Sequence, residues 1–72
     1  MRSDIAVRFG RAVRKLRLEQ KISQEELAER CDLHRTYISD IELGKRNVSL
    51  ENIERIVTAL NQSLSDFFRE VE

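Results

Sequence analysis

Apolar residues recur along the chain at spacings of three and four, interrupted by short polar joints, and no stretch alternates apolar and polar for long. This is the 3.6-residue period of amphipathic helices, and strand signals are nearly absent. The first segment, from about Asp4 to Gln20, sets Phe9, Val13, Leu16 and Ile5 or Ala6 along one stripe. Its other faces carry Arg8, Arg11, Arg14, Lys15 and Arg17. Gly10 interrupts the segment at a helix-propensity cost of about 1 kcal/mol relative to alanine.

The following joints repeat a local pattern in which an apolar residue precedes a cap position and a second lies five residues beyond it. Ile22 precedes Ser23 and is answered by Leu27; Leu33 precedes His34 and is answered by Ile38; Val48 precedes Ser49 and is answered by Ile53. That is the spacing of a hydrophobic staple, so it predicts three helix starts, and Ser23 with Glu26 also fits a capping box. His34 is the weakest of the three as a cap. The predicted helices run near Gln24 to Cys31, Arg35 to Leu43 and Leu50 to Leu60, with a short last one from Leu64 to Glu70. Only Asp32 to His34 separate the second and third, which demands a sharp change of direction. Gly44 is placed to end the third helix in the left-handed region, and Lys45 to Val48 then form an exposed basic loop.

The expected architecture is all-α, a compact five-helix bundle in a single domain spanning residues 1–72, with no linker or internal duplication. Period and register assign its core to Phe9, Val13, Leu16, Ile22, Leu27, Ala28, Leu33, Ile38, Ile41, Val48, Leu50, Ile53, Ile56, Val57, Leu60 and Phe67. Cys31 is expected to close the buried side of the second helix as a small apolar residue.

Composition narrows the function. With 36% charged and 40% hydrophobic residues the 72-residue chain is a water-facing globule rather than a disordered tail. Apolar runs of two or three residues exclude a membrane span, and the opening MRSDIAVRFGR lacks a signal-peptide core, so a cytoplasmic location is expected. One cysteine and one histidine, Cys31 and His34, make neither a disulfide nor a metal site. Glu25 and Glu26 are adjacent, point about 100° apart on a helix and cannot flank a substrate unaided. No glycine-rich phosphate cradle is present, and so short a chain has little room for a pocket; no enzyme activity, cofactor or small-molecule ligand is expected. Net charge is zero but unevenly spread. Residues 1–47 hold 11 Lys or Arg against 8 Asp or Glu, and residues 48–72 hold 2 against 5, which keeps an anionic partner open.

The segment Gln24 to Leu43, QEELAERCDLHRTYISDIEL, resembles the helix-turn-helix of the Cro and phage-repressor-like family, with Leu27, Ala28, Leu33, Ile38 and Ile41 at the apolar positions of that motif. The likeness runs through RLEQKISQEEL and IELGKRNVSLENIERIVTAL, over about residues 8–68, and implies a lambda-repressor-like fold and DNA binding. Where the family usually has glycine at the turn, this chain has Asp32, which tolerates a left-handed conformation better than most residues.

With Ile38 and Ile41 turned inward, Arg35, Thr36, Ser39, Asp40 and Leu43 remain on the outer arc of the third helix. By resemblance this helix enters the major groove at its start, which makes Arg35, Thr36 and Ser39 candidates for base contact; an arginine there can fork onto guanine O6 and N7. Candidate phosphate contacts are Gln24 at the start of the second helix, Tyr37 through its hydroxyl, and Lys45, Arg46 and Asn47 in the loop. Gln24 can alternatively brace Arg35. Asp40 either meets a cytosine amino group or orients Arg35 or Arg46. Arg17 and Glu42, ordinary surface charges on spacing alone, resemble a buried or half-buried pair that joins the first and third helices in this family.

The last third holds Leu60, Leu64, Phe67, Phe68 and Val71, more apolar area than one short helix hides. A C-terminal homodimer through Leu64 and Phe68 is expected, setting two recognition helices about 34 Å apart to match an inverted-repeat operator in double-stranded DNA. A monomer with Phe68 folded back over the first helix is the alternative. Within the family, RTYISDIELGKRNVSLENIERI looks most like the small controller proteins of restriction-modification systems, which stand alone without a sensing domain, as this chain is expected to do. A phage- or chromosome-type repressor is the next reading. A protein-interaction module that uses the same bundle is the competing class.

Overall fold

A computed structural model of the protein describes residues 4–72. Among them lie five helices in the order α1 (Asp4–Glu19), α2 (Gln24–Cys31), α3 (Arg35–Glu42), α4 (Leu50–Ala59) and α5 (Leu64–Arg69). The third helix packs against α1 and α2, α4 packs against α2, and α5 against α4. The all-α, five-helix architecture is as expected, and the predicted boundaries fall within one residue at each helix end.

One pattern ends the first four helices. Lys21, Asp32, Gly44 and Asn61 all take positive φ, of 59°, 57°, 76° and 58°. In each case the next residue's amide reaches back five positions to a carbonyl: Ile22 to Arg17, Leu33 to Ala28, Lys45 to Asp40, and Gln62 to Val57, at 2.9–3.3 Å. This closure satisfies the carbonyls that a helix end would otherwise leave open. Serines then restart the chain. The hydroxyls of Ser23, Ser49 and Ser63 accept the amides of Glu26, Asn52 and Asp66 at 3.0, 3.2 and 3.0 Å. Two details of the expected caps are corrected. The Glu26 carboxylate accepts from Arg30, so only the serine half of the capping box is made. His34 holds the cap position of α3 with extended backbone, but its imidazole makes no capping bond.

Fourteen apolar side chains form the core among the described residues, with Val13, Leu27, Ile38, Ile41, Ile56, Val57, Leu60 and Phe67 sealed from solvent. The sequence reading erred at its margins. Leu50 is 84% exposed, because it shares a face with Val57 but stands two turns nearer the start of α4, beyond the cover of the other helices. Leu33, Val48 and Ile53 are half-buried against the core rather than in it, and Ala12, which period and register left out, belongs to it; Cys31 is buried on α2 as expected. On the α1 stripe Ile5 is exposed and Ala6 half-buried.

Gly10 has a role that helix propensity does not reveal. A Cβ there would lie 2.1 Å from the Ile41 carbonyl oxygen and 2.9 Å from that of Glu42. The missing side chain therefore lets the backbone at the end of α3 rest on α1. Gly10→Ala is expected to destabilise the protein by about 1–3 kcal/mol through overpacking, more than offsetting its helix-propensity gain of about 1 kcal/mol. Urea unfolding measures it; an unchanged or higher midpoint contradicts this account of the α1–α3 contact.

Candidate nucleic-acid interface

The short Asp32–His34 joint turns the chain so that α3 lies across the α1–α2 layer with Ile38 and Ile41 beneath it. Arg35 and Thr36 are exposed on its first turn, Tyr37, Ser39 and Asp40 are half-buried, and Leu43 is exposed at its end. Lys45, Arg46 and Asn47 follow in an exposed loop. Arg35, Thr36 and the loop thus share the solvent side of one helix and its exit, while Ser39 is partly withdrawn.

Asp40 and Tyr37 together hold Arg46. The Arg46 guanidinium donates to the Asp40 carboxylate at 3.3 Å and sits over the Tyr37 ring, 5.5 Å from its centroid. Of the orienting roles open to Asp40, the contact made is with Arg46. The Tyr37 hydroxyl accepts from the Asn52 amide at 3.2 Å, which leaves its own proton available to an acceptor outside. Asn52, the first turn of α4, was not foreseen; no residue pattern marks it.

Between α1 and the end of α3 lies a buried polar network. Arg17 donates from Nε and Nη2 to the two oxygens of Glu42 at 2.7 and 3.0 Å, and from Nη1 to the Ile22 carbonyl at 3.0 Å. Both residues are buried, at 6% and 8% exposure. The hydrogen bond to Glu42 pushes the Arg17 guanidinium above its ordinary range, against the opposing effect of burial. The amide of Gln24 donates to Glu42 Oε1 at 3.1 Å, and its oxygen accepts from Arg35 Nη1 at 3.4 Å. Arg14, read from the sequence only as one of the basic residues on the outer faces of the first helix, brings its guanidinium to 4.0 Å from Glu42 Oε1. Among the described residues no buried side-chain nitrogen or oxygen lacks a partner.

Several of the basic side chains of α1 are paired within the fold. Arg8 pairs with Asp4 and Lys15 with Glu70, as Arg17 does with Glu42. At the other end Leu64 and Phe68 are 45% and 41% exposed. Phe68 nevertheless touches Phe9 and Phe67, at ring-centroid distances of 6.2 and 5.3 Å. It therefore covers α1 in part and presents the rest outward. Burial raises the Cys31 thiol above its ordinary range, and its sulfur donates to the Leu27 carbonyl. Among the described residues no three His, Cys, Asp or Glu gather to hold a metal ion, and no helix is long and apolar enough to cross a membrane.

A two-helix unit with a left-handed turn, an outward-facing second helix and a basic exit loop defines a helix-turn-helix DNA-binding regulator. The helix-turn-helix family model matches residues 13–67, and the chain belongs to that family. It is 57% identical to the control protein C.BamHI of Bacillus amyloliquefaciens over 92% of this chain and 83% of that protein. With the control protein C.MunI of a Mycoplasma species it shares 51% identity over 97% and 96% of the two chains. Among solved structures, the restriction-modification controller protein C.AhdI of Aeromonas hydrophila superposes with a TM-score of 0.84 at 43% identity, over 88% of this chain and 96% of that one. The match to these controllers is close in both sequence and fold.

The buried pair generates a stability prediction. Glu42→Ala strands the Arg17 guanidinium in the interior and is expected to cost about 3–5 kcal/mol, read by urea unfolding. A loss below about 1 kcal/mol would show that the pair is not buried as described.

Proposed function

We propose that this protein is a restriction-modification controller that binds an inverted-repeat operator as a two-fold homodimer. The observation that carries the reading is identity above one half to two control proteins across nearly the whole chain. In this reading Arg35, Thr36 and Ser39 meet base edges in the major groove, Arg35 by a two-pronged contact to guanine. Lys45, Arg46 and Asn47 hold backbone phosphates, joined by the Tyr37 hydroxyl and by Gln24 at the start of α2. Asp40 serves by fixing Arg46 rather than by reading a base, since its carboxylate is already engaged. The protein works in the cytoplasm, where its operator lies.

The dimer forms through α4 and α5 in this reading. Leu64 and Phe68 are exposed beside Leu50, and these three with Ile53 line one open cleft of about 350 Å³. A second, of about 210 Å³, continues past Phe68 to Ile5 and Val48. Exposed apolar side chains gathered on one face are the ordinary mark of an association surface. Two-fold pairing there gives two recognition helices and a palindromic site.

Arg35→Ala is expected to remove about 1–3 kcal/mol of discrimination at one base pair of each half-site while the fold survives, measured by titration against operator and base-substituted duplexes. Unchanged operator preference overturns the assigned groove register. Affinity of the parent protein should fall steeply between about 50 and 200 mM salt, as phosphate contact requires. A flat response favours a protein-interaction module instead. For the dimer, sedimentation across micromolar concentrations should approach twice the 8.5 kDa chain mass, with Phe68→Ser shifting the equilibrium toward monomer. A constant 8.5 kDa species in the parent removes the dimer.

A further inference from the structure

The Gln24 amide lies between two groups that can each accept only one of its ends. A carboxylate only accepts hydrogen bonds and a guanidinium only donates them, whereas a primary amide does both. Glu42 therefore takes the Gln24 nitrogen, at 3.1 Å, and the Gln24 oxygen is left facing Arg35, at 3.4 Å. Turning the amide over would set oxygen against carboxylate and nitrogen against guanidinium, so a single orientation satisfies both neighbours. Glu42 is itself held by two bonds from Arg17 and is buried, whereas Arg35 stands exposed on the first turn of α3. A chain of fixed polarity thus runs from the interior to the tip of the candidate base reader.

We infer that Glu42 is a positioning residue for base recognition, acting through Gln24 on Arg35, in addition to its part in the fold. The inference rests on the reading above that Arg35 meets a base. An exposed arginine loses rotamer freedom when it docks, and a tether to a buried, immobile anchor removes part of that loss beforehand. It occupies one of the guanidinium's five donors, so four remain, and a guanine edge needs two.

The probes are the duplex that the parent protein selects from random DNA and the same duplex with the Arg35-read base pair changed. The readout is the ratio of the two affinities, which does not depend on the folded fraction. Gln24→Leu cuts the chain without touching the buried pair. Arg17→Met combined with Glu42→Leu replaces the pair by apolar groups, an exchange that buried ion pairs often tolerate. Each is expected to lower the ratio about twofold to tenfold, the worth of one net hydrogen bond, and neither should lower it further in an Arg35→Ala background. If the double variant does not fold, Gln24→Leu decides alone. An unchanged ratio in Gln24→Leu, while Arg35→Ala loses it, overturns the positioning role and leaves the reader intact. An unchanged ratio in Arg35→Ala takes down the reader and the positioning role together.

Discussion

The placement of α3 depends on one contact, the seat of its last turn on α1. Two features meet there. Gly10 removes the side chain that would strike the carbonyls of Ile41 and Glu42, and Arg17 reaches across to bind the Glu42 carboxylate with two bonds. The glycine sets the distance between the helices, and the ion pair fixes the rotation of one against the other. Burying two charges is costly in itself, and the geometry here offsets that cost only because Glu42 also accepts from Gln24 and Arg17 donates to the Ile22 carbonyl. The pair contributes position more than net stability.

Given that seat, the outward face of α3 follows. Ile38 and Ile41 are drawn into the core, so Arg35 and Thr36 must face away from it. The left-handed turn at Gly44 then carries the chain back past Val7 of α1, so close that a Cβ added at Gly44 would lie 2.8 Å from Val7 Cγ2. Lys45, Arg46 and Asn47 are left exposed as it does so. The charge of Asp40 at this edge is matched by Arg46, which it holds near the Tyr37 ring.

Much of this was legible in the sequence, for local reasons. Serine caps and apolar staples announce helix starts within a few residues, and Asp32 and Gly44 are types that tolerate positive φ. Lys21, which ends α1 in the same conformation, carries no such signature, and Asn61 was overlooked although asparagine accepts that region. Leu50 misled because periodicity identifies a face and says nothing of how far the neighbouring helices extend along it. Gly10 was read as a cost to one helix, since the helix it meets lies some thirty residues away in the chain. The Arg17–Glu42 pair came from family likeness alone, as no spacing rule links residues on different helices. The uneven charge of the sequence kept an anionic partner open without saying where it would sit, because charge counts do not show that Arg8, Lys15 and Arg17 of α1 are paired with Asp4, Glu70 and Glu42.

Which surface meets DNA is therefore the central question, and amide chemical shifts of the labelled protein on addition of a selected duplex answer it most directly. The account predicts shifts concentrated at Gln24, at Arg35 to Ser39 and at Lys45 to Asn47, with the outer face of α1 around Arg11 and Lys15 unmoved. Shifts centred on that outer face, with the first turn of α3 unchanged, would contradict it.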